Sequence, residues 1–344
     1  MNRKIICITT IQKYLACFIS ASLVLLTLSG CRPLNSKVPL SKSAVFFDTY
    51  ITISLYLGGS EEILSKCLDL CDFYENLFSA EIPTSDIARI NSAGKEAVKV
   101  SSETIYLIEK SIEYSRLTNG LYDITIYPVS KLWDFHGDSP NVPDEEVLKA
   151  ALLNVDYNNI VIDAQNSTVA LKNANASLDV GGIAKGYIAD LIKEYLEDAG
   201  VTGALINLGG DISAVGAKSR YNDFSIGISD PHDENNIIGC AKINDMCIAS
   251  SGTYERCFEA GGRKYHHILD PKTGYPAGTD IAGITVIAPN AIDADALCTA
   301  SILMGSTEAI SLINSLSDTE CLIVKNDSSI VCSDNMEKFL SSGK

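Results

Sequence analysis

Along the chain, apolar and polar positions change period often, and each change marks an element. Residues 44–57 alternate through Phe46, Thr49, Ile51, Ile53 and Leu55, which predicts a strand. Helical spacing over 61–78 predicts a helix, and Ser85-Asp86 reads as the cap of a short one reaching Asn91. Residues 102–118 predict an amphipathic helix opened by Ser102 and closed at Asn119-Gly120, where glycine suits a left-handed end. The run 121–135 (LYDITIYPVSKLWDF) is aromatic, with an acid and a threonine ahead of its proline. A short helix at 144–152 and a hairpin of 160–163 with 168–171 follow.

Ser177 to Asp190, SLDVGGIAKGYIAD, is the stretch around which the rest is organised. A strand end carries Asp179, Gly181-Gly182 make a turn without side chains, and a helix with Lys185 in its first turn runs to about Ala199. Paired glycines let a backbone approach a ligand, and the N–H groups opening a helix favour an anion. An ordinary strand-to-helix turn would read the same way. Short strands are predicted at 204–207, 212–215, 224–228, 237–243 and 247–250. Residues 254–258 and 264–268 then flank Gly261-Gly262, a hairpin signal, ahead of a strand at 281–288. Helices at 290–304 and 306–316, a terminal hairpin and a last short helix end the chain. Helices and hairpins intermix rather than alternating as βαβ units. An α+β fold is therefore expected, a single compact domain of mixed helices and largely antiparallel sheet over 44–344.

The segment before it has another pattern. Arg3, Lys4 and Lys13 precede an apolar run from Ala16 to Leu28, and Leu28-Ser29-Gly30-Cys31 resembles a bacterial lipobox. Residues 1–30 are expected to be a lipoprotein signal peptide, with Cys31 the lipidated N-terminus and 31–43 a tether rich in Pro, Ser and Lys. A plain signal peptide or an uncleaved anchor is the alternative. No other apolar run approaches the roughly 18 residues that span a bilayer. The protein is thus expected at a bacterial cell membrane, lipid-anchored on the extracytoplasmic face.

Composition narrows the partners. Hydrophobic residues make up 46% and charged residues 20% of the chain, globular values. The formal charge is −16, and loss of the signal segment takes it to −19 because that segment holds three basic residues and no acid. So acidic a chain is not expected to bind nucleic acid, which demands a basic surface. A phosphorylated ligand remains open if a metal or a local lysine offsets repulsion. Of eleven cysteines, Cys67, Cys71, Cys240, Cys247, Cys257, Cys298, Cys321 and Cys332 lie in the mature domain and are expected to be buried free thiols.

Candidate chemistry lies in four places. Ser177–Asp190 is neither a Walker loop nor GxGxxG. On the 290–304 helix, Asp295 and Thr299 are one turn apart and offer a carboxylate and a hydroxyl to a hard cation, or simply sit near a helix start. The histidine pair at 266–267 ends a strand before a Pro/Gly turn, as a base, a metal ligand or a surface pair. Tyr122, Tyr127, Trp133 and Phe135 could stack on a ring or fill a core.

The phrases FDT (47–49), SDIARIN (85–91), GLYDITIYPVSKLWDF (120–135), LDVGGIAKGYIAD (178–190), INLGGD (206–211), ASSGTYER (249–256), YHHILDPKTGYP (265–276) and DADALCTA (293–300) occur in this order. In wording and order the chain resembles the ApbE family of FAD:protein FMN transferases over about 44–340. The resemblance implies transfer of FMN from FAD to a Ser or Thr hydroxyl of an acceptor protein, with release of AMP. Acceptors of that kind are subunits of membrane redox complexes of the Rnf or Na⁺-pumping (Nqr) type. It further implies Mg²⁺ on the Gly182 carbonyl, Asp295 and Thr299. FAD contacts are implied from Phe47, Asp86, Leu121, Tyr122, Asp123, Asp179, Lys185 and Leu269, with His267 as base. Two departures stand out: Glu81 where many relatives carry an aromatic, and Cys298 where they carry a small residue or an acid. A Mg²⁺-dependent FAD pyrophosphatase, or a lipoprotein that only binds flavin, are the rival readings of the same residues.

Overall fold

The chain's fold is taken from a computed structural model that describes residues 38–135, 137 and 139–341. The expected signal segment, Cys31 and most of the tether lie outside these residues. Strand β1 (Leu40–Phe46) pairs with β2 (Thr49–Leu57) through a two-residue turn, so the single strand read from the sequence is a hairpin. Phe47 and Asp48 both have positive φ, 53° and 54°, as a type I′ hairpin turn requires. Leu40–Ser43, the end of the expected tether, already belong to β1, and the domain begins there rather than at residue 44.

Helices α1 (Glu61–Phe78) and α2 (Asp86–Ser92) follow, then β3 (Val98–Lys99) and α3 (Ser102–Leu117). Ser85 caps α2 as expected, whereas Ser101, not Ser102, caps α3 by accepting from the Thr104 N–H. The aromatic run contains α4 (Tyr127–Trp133), with Pro128 in its first turn, where a missing N–H costs nothing. Next come α5 (Glu145–Leu152), β4 (Ile160–Asp163), β5 (Thr168–Leu171) and α6 (Ala184–Asp198). Then a run of strands follows: β6 (Gly203–Leu208), β7 (Asp211–Gly216), β8 (Phe224–Asp230), β9 (Asp233–Ile243), β10 (Cys247–Gly252), β11 (Cys257–Ala260), β12 (Arg263–His266) and β13 (Ile281–Ala288). Helices α7 (Ala291–Met304) and α8 (Ser306–Asn314) and the strands β14 (Glu320–Lys325) and β15 (Ile330–Cys332) complete the order.

The main sheet has eight strands in the order β1-β2-β6-β7-β10-β13-β14-β15, every pair antiparallel. Alternation along β6 explains how it is covered. Ala204, Ile206 and Leu208 face α1, α6 and α7, while Leu205 packs on the other side against the β8–β9 ribbon. With both faces covered, all eight residues of β13 are buried. The α+β expectation holds. A satellite cluster of Val129, Trp133, Leu148, Tyr265 and Leu269 ties α4 and α5 to the β11–β12 ribbon. Trp133 is fully buried and its indole N–H donates to the Gly274 carbonyl at 2.8 Å, so this tryptophan is core. Of the mature cysteines, Cys67, Cys71, Cys247, Cys298 and Cys321 are buried, but Cys257 and Cys332 are exposed and Cys240 is half-buried, against the expectation for those three.

Candidate functional site

The site is built where α6 crosses α7 at the end of the sheet. Gly186, in the first turn of α6, donates its N–H to Asp295 Oδ2 on α7 at 2.9 Å. A Cβ there would stand 2.3 Å from the Ala291 carbonyl oxygen and 2.8 Å from the Asp295 Cβ. Only glycine permits this approach. The same α6 supplies Asp190, whose two oxygens accept from the N–H groups of Ala291 and Ile292 at 2.7 and 2.9 Å. One helix thus caps the next, satisfying donors that have no intrahelical partner. Burial raises the Asp190 carboxyl to about 6 despite those two bonds. From the other side, the Tyr114 hydroxyl of α3 donates to Asp293 Oδ1 at 2.7 Å.

With the helices locked, the expected metal ligands come together. Thr299 faces the Gly181-Gly182 turn, and a Cβ on Gly182 would sit 3.2 Å from Thr299 Oγ1. Asp295 is buried on the same helix, one turn earlier. A glycine carbonyl, a hydroxyl and a carboxylate are hard oxygen donors, and the missing Cβ at Gly182 lets its backbone lie close against Thr299. The set fits a Mg²⁺ ion. Cys298 adds nothing to it: its thiol points at the Ala249 carbonyl, 3.4 Å away, and burial keeps it protonated.

Lys185 has a partner that the sequence reading lacked. Its Nζ forms a short hydrogen-bonded ion pair with Asp211 Oδ2 and lies 3.5 Å from Asp295 Oδ1. Burial disfavours its charge, but the two carboxylates outweigh burial and hold the ammonium protonated. Asp211, buried and beside Asp295, is in turn raised from the ordinary carboxylate range. The signal was present in INLGGD, whose acid opens β7 after the Gly209-Gly210 turn. Gly209 serves the hairpin at the sheet's edge as well, since a Cβ there would lie 2.4 Å from Thr49 Oγ1. The FDT phrase is therefore a turn seated on that glycine, and Phe47 is held by its N–H donating to Glu75 Oε1 at 2.6 Å.

Other expected flavin contacts divide by geometry. Asp179 accepts from the Gly181 N–H at 2.8 Å and shapes the turn. The Tyr122 hydroxyl is buried; Ser111 is the polar group beside it, and that hydroxyl is spent on the Leu107 carbonyl at 2.7 Å. Burial first, then the charges of Asp295 and Asp179, push the Tyr122 phenol well up, so it stays a neutral donor at the site's wall. Asp86 is committed to the scaffold instead: it binds Arg89 at 2.9 Å, the Ser101 N–H at 2.8 Å and Thr104 Oγ1 at 2.8 Å. Asp123 likewise spends its oxygens on Thr125 and on the Tyr157 N–H at 2.9 Å. Both carboxylates therefore hold loops through these bonds. Leu269 belongs to the satellite cluster, and Leu121 lines a cleft of about 320 Å³ with Lys272 and Met304. The expected strand end before Asp179 is an irregular segment with one isolated bridge at Ser177, and Asn91, not singled out from the sequence, clamps it through bonds to the Leu178 N–H and carbonyl at 2.6 and 2.9 Å.

Two more features frame the mouth. Glu81 accepts a short hydrogen bond from the Tyr127 hydroxyl, so a carboxylate bonded to a neutral phenol stands where an aromatic was the alternative. His266 is buried against the Ala277 carbonyl at 3.2 Å, and burial lowers its pKa, which makes it a neutral structural histidine. His267 follows at the open end of the β11–β12 ribbon, where Cys257 pairs with His266.

Comparison with known proteins bears on the family and the fold. The profile of the ApbE family matches residues 47–323. A FAD:protein FMN transferase of Klebsiella pneumoniae (strain 342) is 34% identical over 297 residues, covering 85% of this chain and 91% of its own. One from Treponema pallidum (strain Nichols) is 33% identical over 279 residues, 77% of each chain. Among solved structures, the ApbE protein of Thermotoga maritima superposes with a TM-score of 0.81 at 30% identity, over 88% of this chain and 100% of that one. The flavin transferase ApbE from Vibrio cholerae gives 0.79 at 25% identity, over 88% and 99%.

Proposed function

The chain belongs to the ApbE family, and from that membership we propose that it transfers FMN from FAD to a hydroxyl of an acceptor protein, releasing AMP. The observation that carries the reading is the convergence of Gly182, Asp295 and Thr299, with Lys185 beside them, at one helix crossing.

Phosphoryl transfer asks a protein to place the nucleophile in line and to stabilise charge, more than to form covalent intermediates. Bound to the Gly182 carbonyl, Asp295 and Thr299, Mg²⁺ would supply Lewis-acid polarisation of the pyrophosphate oxygens. The protein's own residues do the rest. Asp190 and Gly186 fix α7 against α6 and so set the spacing of the donor set. Lys185, kept charged by Asp211, holds a positive field over the reacting phosphates. His267 takes the proton of the acceptor Ser or Thr hydroxyl, whose oxygen then attacks the phosphorus on the FMN side. The bond from that phosphorus to the bridging oxygen breaks, and AMP departs with the oxygen. Tyr122 donates its hydroxyl within the site, and Phe47 packs at the flavin end.

The acceptor we propose is a subunit of a membrane redox complex of the Rnf or Nqr type, met on the extracytoplasmic face, where Cys31 would carry the lipid anchor. Among the described residues no helix is long and apolar enough to cross a membrane. Membrane fractionation of Cys31→Ala, with release of the protein into the soluble fraction, tests the anchor. For the reaction, FAD, Mg²⁺ and an acceptor domain are expected to yield an acceptor band whose flavin fluorescence survives denaturation. Asp295→Ala or chelation should abolish the band. Turnover that persists in Asp295→Ala would refute the metal assignment.

A further inference from the structure

One basic residue beside this cluster has no role so far. Arg256 lies in the loop between β10 and β11, exposed, with φ at 37°, a left-handed backbone that an arginine adopts only at a cost. The loop is pinned on one side, where Thr253 donates its N–H to the Ala282 carbonyl at 3.0 Å. On the other side β11 begins: Cys257 pairs with His266, so one step beyond that pair stand Arg256 and His267. The same loop reaches the turn that precedes Asp211. Tyr254 and Glu255 line a cavity of about 210 Å³ together with Gly209 and Gly210, the turn that delivers Asp211. The charge of Arg256 is felt at Lys185, and that of Glu255 at Asp211.

The charges call for this residue. A pyrophosphate diester carries a negative charge on each phosphorus, and negative charge builds on the departing phosphate as the bond breaks. Lys185 cannot answer that alone, because its ammonium is already paired with Asp211 and close to Asp295. Glu255 adds to the acidic side. A guanidinium presents a fork of donors to phosphate oxygens and never loses its proton, which suits the task better than a second ammonium.

We propose that Arg256 contacts the pyrophosphate of FAD and stabilises the phosphate that leaves with AMP, facing the acceptor's base His267 across the mouth of the β11–β12 ribbon. The proposal rests on the transfer reading above. Titration of the wild-type protein, Arg256→Gln and Arg256→Lys with ADP and with riboflavin, at fixed Mg²⁺, tests it without requiring turnover. ADP has the pyrophosphate and riboflavin has no phosphate. Arg256→Gln is expected to weaken ADP about tenfold or more and leave riboflavin unchanged. Its kcat/KM for FMN transfer should fall by roughly 10²-fold, with Arg256→Lys in between. Unchanged ADP binding overturns the proposal, as does an equal loss of ADP and riboflavin, which would mark a structural residue. Should Arg256→Gln fail to fold, Arg256→Lys decides by the same comparison: several-fold weaker ADP with riboflavin retained supports it, and unchanged ADP overturns it. A wild-type protein that binds ADP but never transfers FMN would refute the transfer reading, and the arginine would still be judged by the titration.

Discussion

Gly186→Ala sets two effects against each other. Alanine in place of glycine inside a helix is worth about 1 kcal/mol in its favour. Against it, the new methyl would meet the Ala291 carbonyl oxygen at 2.3 Å, the Ala291 carbonyl carbon at 2.7 Å and the Asp295 Cβ at 2.8 Å. Ordinary carbon contacts begin near 3.5 Å, so α6 and α7 must part by roughly 1 Å. The obstacle is backbone in the first turn of α7, held in turn by Asp190, and cannot rotate away. Overpacking of this kind costs about 3 kcal/mol at the upper end of its usual range, leaving a net loss of about 2 kcal/mol. For a domain of this size that is a fall of roughly 3 °C in Tm by calorimetry. Function should suffer more, because the displacement separates Asp295 from Gly182. A misplacement of about 1 Å can cost on the order of 10²-fold in rate. Thermal denaturation and FMN transfer, measured on one preparation, check both. A variant as stable as the parent that transfers FMN at the parental rate would refute the claim that this glycine sets the geometry.

Other outcomes follow from the same contacts. Asp86→Ala should destabilise by about 2–3 kcal/mol in urea denaturation, because it strips Ser101, Thr104 and Arg89 of a shared acceptor, while FAD affinity of the folded fraction changes little. Lys185→Met leaves Asp211 buried beside Asp295 and should cost roughly 3 kcal/mol, part of which Lys185→Met with Asp211→Leu recovers. For Asp190, the folded carboxyl titrates near 6 and the unfolded one near 3.8, so the folded state binds more protons between these values. Its stabilising share is therefore complete below the lower value and is lost as pH rises through about 6, by at most about 3 kcal/mol. Melts from pH 4 to 7 should show this slope in the parent and lack it in Asp190→Asn.

Much of this was legible in the sequence, and what was not has a physical cause. Period-two alternation exposed most strands, and the cap at Ser85 marked a helix start. The Phe47-Asp48 turn was hidden because neither residue is a glycine or asparagine, and β1 continues the alternation of β2. Asp295, Thr299 and Gly182 were picked out by spacing and wording. Asp211 and Asp190 were not, because their importance lies in partners 26 and 101 residues away. The loop-holding bonds of Asp86 and Asp123 were hidden as well, because their partners become known only from the fold. Arg256 escaped notice because an arginine at a loop's end becomes informative only when the hairpin pairing of Cys257 with His266 is known.

The central claim is transfer rather than hydrolysis, and product stoichiometry addresses it most directly. Wild-type protein, FAD and Mg²⁺ are incubated with an acceptor domain, with AMP quantified by chromatography and the acceptor by intact mass. The account predicts one FMN added to the acceptor for each AMP released, and little AMP when the acceptor's Ser or Thr is replaced by Ala. AMP and free FMN accumulating at the same rate whether or not the acceptor hydroxyl is present would contradict it.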